Sequence, residues 1–275
     1  MDSVGLVRFK QDIGEALKEG LELIGGFGDI KSPVLVKPNI CTISDNTGYS
    51  VTRVEVVEAL VHIILEVNGN PQIRIVESDS QSKTTGDAFE KFGYTRLAGK
   101  MQSEGFDVSL VNLSQSHLES RAFEGDYFRN PDLPDLIARP GYFISVAAAK
   151  THYLTSITGV LKNLFGVLPR KDQSFYHSRI DDVIVDLGRL IRPDLSIVDA
   201  RFGIEGWNGP TTRQLDAFIL GHEPVSVDAT LARILGLEPR EIRHLTESAK
   251  HELGTLDPEI VGSTIESIAV TSESC

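Results

Sequence analysis

Short apolar runs, set apart by polar or glycine breaks and by segments with helical spacing, recur along this chain, and that alternation constrains its fold more than any other feature. A strand covered on both faces reads as a continuous apolar run, whereas the helix returning the chain to the next parallel strand repeats its apolar residues three and four apart. The runs predicted as strands are Val34 to Val36, Ile73 to Val76, Val108 to Val111, Tyr142 to Ala147, Leu195 to Val198, Phe218 to Leu220 and Ile265 to Val270. Between the first two, Thr52 is placed to cap a helix carrying Val56, Val57, Leu60, Ile63, Ile64 and Val67, which Asn68-Gly69 ends. Further helices are predicted from about Gly86 to Met101, from Asp181 to Ile191 and from Ser226 to Leu235, with stops at Pro193 and Gly236. The expected fold class is α/β, a mainly parallel layered sheet with helices on both faces.

At 275 residues and 41% hydrophobic side chains, such a chain buries roughly 70–75% of its unfolded surface and needs no disulfide or metal to fold. A single α/β domain over residues 1–275 is expected. Within it, residues 114–140 hold Pro131, Pro134 and Pro140 among polar side chains and read as an irregular excursion, a candidate lid. The net charge of -12 opposes binding to nucleic acid and to anionic lipid, so neither is an expected partner. Two cysteines, Cys41 and Cys275, cannot build a disulfide framework or a four-cysteine cluster, and a reducing compartment is expected. The N-terminus lacks an apolar leader core and no run reaches the ~18 apolar residues of a membrane span. A soluble, cytoplasmic protein is the expectation.

The functional signal is positional. The run in VLVKPN ends at Lys37 and Asn39, that in IRIVESDS at Glu77 and Asp79, that in YFISVAAAKTH at Lys150 and His152, and that in LSIVDA at Asp199. In open parallel sheets the ligand crevice lies beyond the carboxyl ends of the strands. A lysine there has its stem held by apolar neighbours and its ammonium on partly dehydrated ground, which strengthens its pull on a carboxylate or phosphate. The competing reading is a structural ion pair between Lys37 and Glu77 or Asp79.

Between Lys150 and His177 the chain adds Thr158, Lys162 and Asn163. Lys150 and His152, two apart on an extended strand, point the same way, a spacing suited to acid/base work near neutral pH. Lys150, His152, Lys162 and His177 are the candidate catalytic residues, while His62, His117, His222, His244 and His251 read as ordinary hydrogen-bonding groups. After Asp199, the glycines Gly203, Gly206 and Gly209 surround Glu205. They permit close backbone approach to a ligand or build a tight loop. The pattern is neither GxGxxG nor a P-loop, so no dinucleotide or Walker-type nucleotide is expected.

Taken together, VLVKPN, KTHYLTSITGVLKNLFGVLP, a following histidine, IVDARFGIEGWNGP and HEPVSVDATLARILG resemble the family known as domain of unknown function 362. The resemblance implies an α/β domain, alone or fused to a ferredoxin-like module with two four-iron clusters. The cysteines of that module are absent here, so no iron-sulfur cluster is expected from this chain. The matching positions are Lys37, Asn39, Lys150, His152, Thr158, Lys162, Asn163, Gly166, His177, Asp199, Gly203, Glu205, Gly206, Gly209, Pro210 and Asp228, with Gly166 and Asp228 read as structural.

Three functions fit. The first is an enzyme acting on a small anionic molecule, with Lys37, Lys150 and Lys162 holding a carboxylate or phosphate and a histidine moving a proton in an isomerisation or elimination. The second is a metal-dependent variant, with a divalent ion held by His152, His177 and Glu205 or Asp79. The third is a non-catalytic binding module docking to a separate ferredoxin-type partner. A homo-oligomer is compatible with each.

Overall fold

The computed structural model describes residues 3–269. In chain order its elements are β1 (Ser3–Arg8), α1 (Ile13–Leu23), β2 (Val34–Pro38), α2 (Val54–Asn68), β3 (Ile73–Glu77), α3 (Thr85–Lys91), α4 (Tyr94–Ser103), β4 (Val108–Asn112), β5 (Leu118–Ser120), β6 (Asp132–Pro134), α5 (Asp135–Ala138), β7 (Tyr142–His152), β8 (Ser156–Ile157), α6 (Gly159–Asn163), α7 (Ile180–Leu190), β9 (Leu195–Ile204), β10 (Thr212–Gly221), α8 (Pro224–Ile234), α9 (Arg243–Lys250), β11 (Glu259–Gly262) and α10 (Ile265–Ala269). The main sheet runs β11-β1-β10-β9-β7-β2-β3-β4, with β8 paired to β7. Strands β9, β7, β2, β3 and β4 are parallel, and β10 runs against β9 and β1.

Two apolar layers sandwich this sheet. On one face α1, α2 and α4 bury Leu17, Leu60, Ile64 and Leu97. On the other, α6, α7 and α8 bury Leu161, Ile184 and Leu231. Strand β2 leads through α2 to β3 on one side, whereas β7, on β2's other side, leads through α6 and α7 to β9. The chain therefore departs from these two neighbours in opposite directions, which opens a crevice at their carboxyl ends.

Several sequence expectations are corrected. The segment from Ile265 is helix α10 and not a strand; Thr264 Oγ1 accepts from Ser267 N at 3.2 Å, and Ile265 and Ile268 sit one helical turn apart. Val270 lies outside the described residues. Thr52 does not cap α2, whose N-cap position is Arg53 without a side-chain bond. Its hydroxyl instead accepts from Asn39 N at 2.8 Å and donates to Val146 O at 2.7 Å, tying the exit of β2 to β7. The helix expected over Gly86 to Met101 is broken into α3 and α4 at Gly93, whose φ of 84° no ordinary helical residue adopts.

Residues 114–140 carry the β5–β6 hairpin and α5. They contribute Leu133 and Ile137 to the core. The fully buried Asp186 of α7 accepts from Asp126 N, Tyr127 N and Phe128 N at 3.2, 2.7 and 2.8 Å, strapping the segment to that helix.

Candidate functional site

At the carboxyl ends of β2, β3 and β7 lies a cavity of about 300 Å³. Its floor is a closed polar network. Lys37 Nζ donates to Glu77 Oε2 at 2.7 Å, to Pro38 O at 2.7 Å and to Asn163 Oδ1 at 3.4 Å. Glu77 also accepts from Ile40 N and Ser78 N, and Lys83 Nζ stands 3.7 Å from its other oxygen. Removal from water lowers the pKa of Lys37, and the charge of Glu77 opposes that fall. The ion pair predicted as the alternative role for Lys37 is thus present.

Gly166 makes room for it, because a Cβ there would lie 2.5 Å from Lys37 Nζ and 2.6 Å from Glu77 Oε1. Asn163 fixes the next layer. Its Nδ2 donates to Lys37 O at 3.0 Å and to Ser145 Oγ at 3.1 Å, so its Oδ1 must face Lys37 and Asn39. Asn39 answers with Nδ2 at 3.1 Å and is left with Oδ1 buried and unpartnered. Thr158 Oγ1, also on the cavity wall, is likewise buried without a partner.

The helix carrying Lys162 and Asn163 starts on a carboxylate. The fully buried Asp228 of α8 accepts from Val160 N at 2.7 Å and Leu161 N at 3.0 Å. Burial raises its pKa to about 7, and these two bonds only partly offset that. Gly159 is required beside it, since a Cβ there would meet Asp228 Oδ1 at 2.2 Å.

Above the floor the charges are unbalanced. Lys150 Nζ, 1% exposed with its residue, donates to Ser50 O at 2.7 Å and reaches Cys41 Sγ at 3.2 Å. Lys162 makes no hydrogen bond or ion pair among the described residues; its Nζ lies 5.5 Å from the centre of the Phe165 ring. Burial and the nearby charge of Lys150 bring its pKa down to about 8. His152 Nδ1 accepts from Leu154 N at 3.2 Å, which places the ring proton on Nε2. Burial, then Lys162 and Lys150, lower its pKa to about 3, so the ring is neutral at physiological pH. His177, on the exposed lip, is lowered by partial burial and by Lys162.

Residues 34–233 match the family model described as a domain of unknown function, DUF362. The chain belongs to the DUF362 family. It is 29% identical over 252 residues to the thylakoid-associated protein sll1697 of Synechocystis sp., covering 87% of this chain and 74% of that protein. It is also similar to the lactate racemase apoprotein of Thermoanaerobacterium thermosaccharolyticum, at 13% identity and a TM-score of 0.48. That similarity covers 90% of this chain and 56% of the racemase chain.

In this DUF362 chain, Lys37, Asn39, Glu77, Lys150, His152, Thr158, Lys162, Asn163 and His177 line one cavity. Asp79, Asp199, Gly203, Glu205, Gly206 and Gly209 are not among its lining residues. Asp79 Oδ1 accepts from Thr85 N at 2.8 Å and Asn112 Nδ2 at 3.1 Å, at the start of α3. Asp199 alternates onto the α2 face of the sheet, where Arg201 grips it with two bonds of 2.9 and 2.7 Å and approaches Glu55.

Gly203 packs against Leu215 and Leu235, and Gly209 sits over Glu205 O in the turn joining β9 to β10. That turn reaches the site through a neighbour: Gly206 N donates to Thr151 Oγ1 at 2.7 Å, and Trp207 lines the cavity. Cys41, Lys83 and Trp207 are wall residues that the strand-end reading passed over, although Cys41 and Lys83 follow β2 and β3 by only a few residues. Among the described residues, no group of three or more His, Cys, Asp or Glu side chains is arranged to hold a metal ion. No helix among them is long and apolar enough to cross a membrane.

Proposed function

We propose that this cavity binds a small carboxylate- or phosphate-bearing molecule and moves a proton on it. The observation that carries the reading is the surplus of positive charge: four lysines line the cavity, and Glu77, its one acidic residue, is engaged by Lys37 and Lys83. Lys150 and Lys162 are left without a carboxylate, and like charges confined together away from water are relieved by an anion.

The unpartnered Asn39 Oδ1 and Thr158 Oγ1 support the same reading, since buried polar atoms ordinarily have partners. Roles follow from the protonation states. Lys150, held by Ser50 O, anchors the anion. Lys162, with a pKa of about 8 and no fixed partner, is the group poised to give or take a proton near neutral pH. His152, neutral and protonated on Nε2, is a hydrogen-bond donor rather than a base.

Calorimetric titration with inorganic phosphate tests the binding step. Lys150→Met and Lys162→Met are each expected to weaken binding by tenfold or more while the fold is retained. Wild-type affinity in both variants would overturn the reading. For the proton step, the bound carboxylate should exchange a carbon-bound hydrogen with solvent deuterium, and Lys162→Met should stop that exchange.

A further inference from the structure

Six large hydrophobic side chains are exposed among the described residues, and two of them, Tyr153 and Trp207, line the cationic cavity. Their exposures are 71% and 39%. Leu154 follows Tyr153, and Phe175 is next to the lining residue Ser174. Tyr153 and Trp207 come from separate stretches of chain, so local sequence does not explain their presence at one cavity. Tyr153 lies flat on the ring of His152, at 4.8 Å and 16°, which fixes its orientation and leaves its other surface open. The Trp207 turn is docked onto the loop after β2 by Asn208, whose Oδ1 accepts from Asn46 N at 3.1 Å.

Apolar surface grouped around a polar cleft marks the place where a partner with an apolar part is received. A bare inorganic anion would leave this collar in water. We propose that the ligand is an organic anion with two ends: a carboxylate or phosphate lodged by Lys150 and Lys162, and an aromatic or branched aliphatic body resting on Tyr153 and Trp207. This rests on the proposed anion site and adds the class of molecule that enters it. Each methylene-sized unit covered by the collar strengthens binding about fourfold, so two such units give about fifteenfold.

The chain has one tryptophan, and its emission therefore reports on the collar directly. Affinities for inorganic phosphate and phenyl phosphate, and for acetate and phenylacetate, are compared by calorimetry and by Trp207 fluorescence. The aromatic member of each pair is expected to bind at least tenfold tighter and to shift the emission. In Tyr153→Ala and Trp207→Ala the ratio within each pair should fall below about threefold, while Tyr153→Phe keeps it. Equal affinities within the pairs, or a ratio that survives both alanine variants, would overturn the inference while leaving anion binding intact. Failure of all four compounds to bind removes the anion site and this inference with it. Sedimentation with anionic phospholipid vesicles, without any gain for the soluble aromatic anions, would assign the collar to a membrane surface and refute the proposal.

Discussion

Lys37 Nζ and Glu77 Oε2 lie 2.7 Å apart with both side chains almost wholly removed from water, so the lysine near the end of β2 serves the floor of the cavity rather than its mouth. A buried charge left without its partner is strongly destabilising. Glu77→Gln is therefore expected to lower stability by about 3–5 kcal/mol in urea denaturation. The double variant Lys37→Met, Glu77→Leu should recover a large part of that loss, and a single variant within about 0.5 kcal/mol of wild type would show that the pair is not structural.

Lys162 gives anion binding a pH dependence of known sign. Its pKa is lowered to about 8, so its charge is present below that pH and is lost above it. Sulfate, whose own charge does not change over this range, should bind progressively more weakly as pH rises from 7 to 10. A bound anion raises the pKa of the lysine and moves the midpoint above 8. In Lys162→Met the decline should vanish; an unchanged profile would assign it to another group.

For His152 the expectation is a ring that stays neutral through pH 5. Nitrogen-15 shifts of the imidazole should report the Nε2-protonated tautomer there, and a midpoint near 6.5 would contradict the geometry. Because the folded pKa, about 3, lies below the ordinary value of 6.5, the unfolded chain takes up this proton first. Stability is lost as pH falls from about 6.5 towards 3, and His152→Gln should flatten that part of the acid-stability curve.

Asp228 supports the site from behind. Asp228→Ala strands two buried main-chain N–H groups at about 1–3 kcal/mol each, so thermal unfolding should show a loss of at least about 2 kcal/mol. Phosphate affinity should fall with it, because α6 carries Lys162 and Asn163.

The main sheet was legible because strands covered on both faces must be continuously apolar, which located β2, β3, β4, β7, β9 and the end of the antiparallel β10. The same logic placed Lys37, Glu77, Lys150 and His152 at one rim, and the block from Lys150 to His177 supplied Lys162 and Asn163. Asp199 misled because its apolar run does not end the strand: β9 continues from Leu195 to Ile204, which leaves Asp199 in mid-strand. Its side chain takes the α2 face, where Arg201, two residues on, holds it. Strand β1 and the edge strand β11 were passed over because Gly5 and the polar ends of Glu259–Gly262 weaken their apolar signal. The unpaired state of Lys162 was invisible in the sequence because it depends on which segments fail to bring an acid near it.

The interlocking of Lys37, Glu77, Asn163 and Gly166 carries a consequence for how such a scaffold changes its preferences. Any one exchange in that base disturbs three neighbours at once, and Gly166 tolerates no added atom. Tyr153, Leu154, Phe175 and Trp207 face solvent and can be traded singly. Diversity in what relatives accept should therefore be written at the entrance, over an invariant foundation.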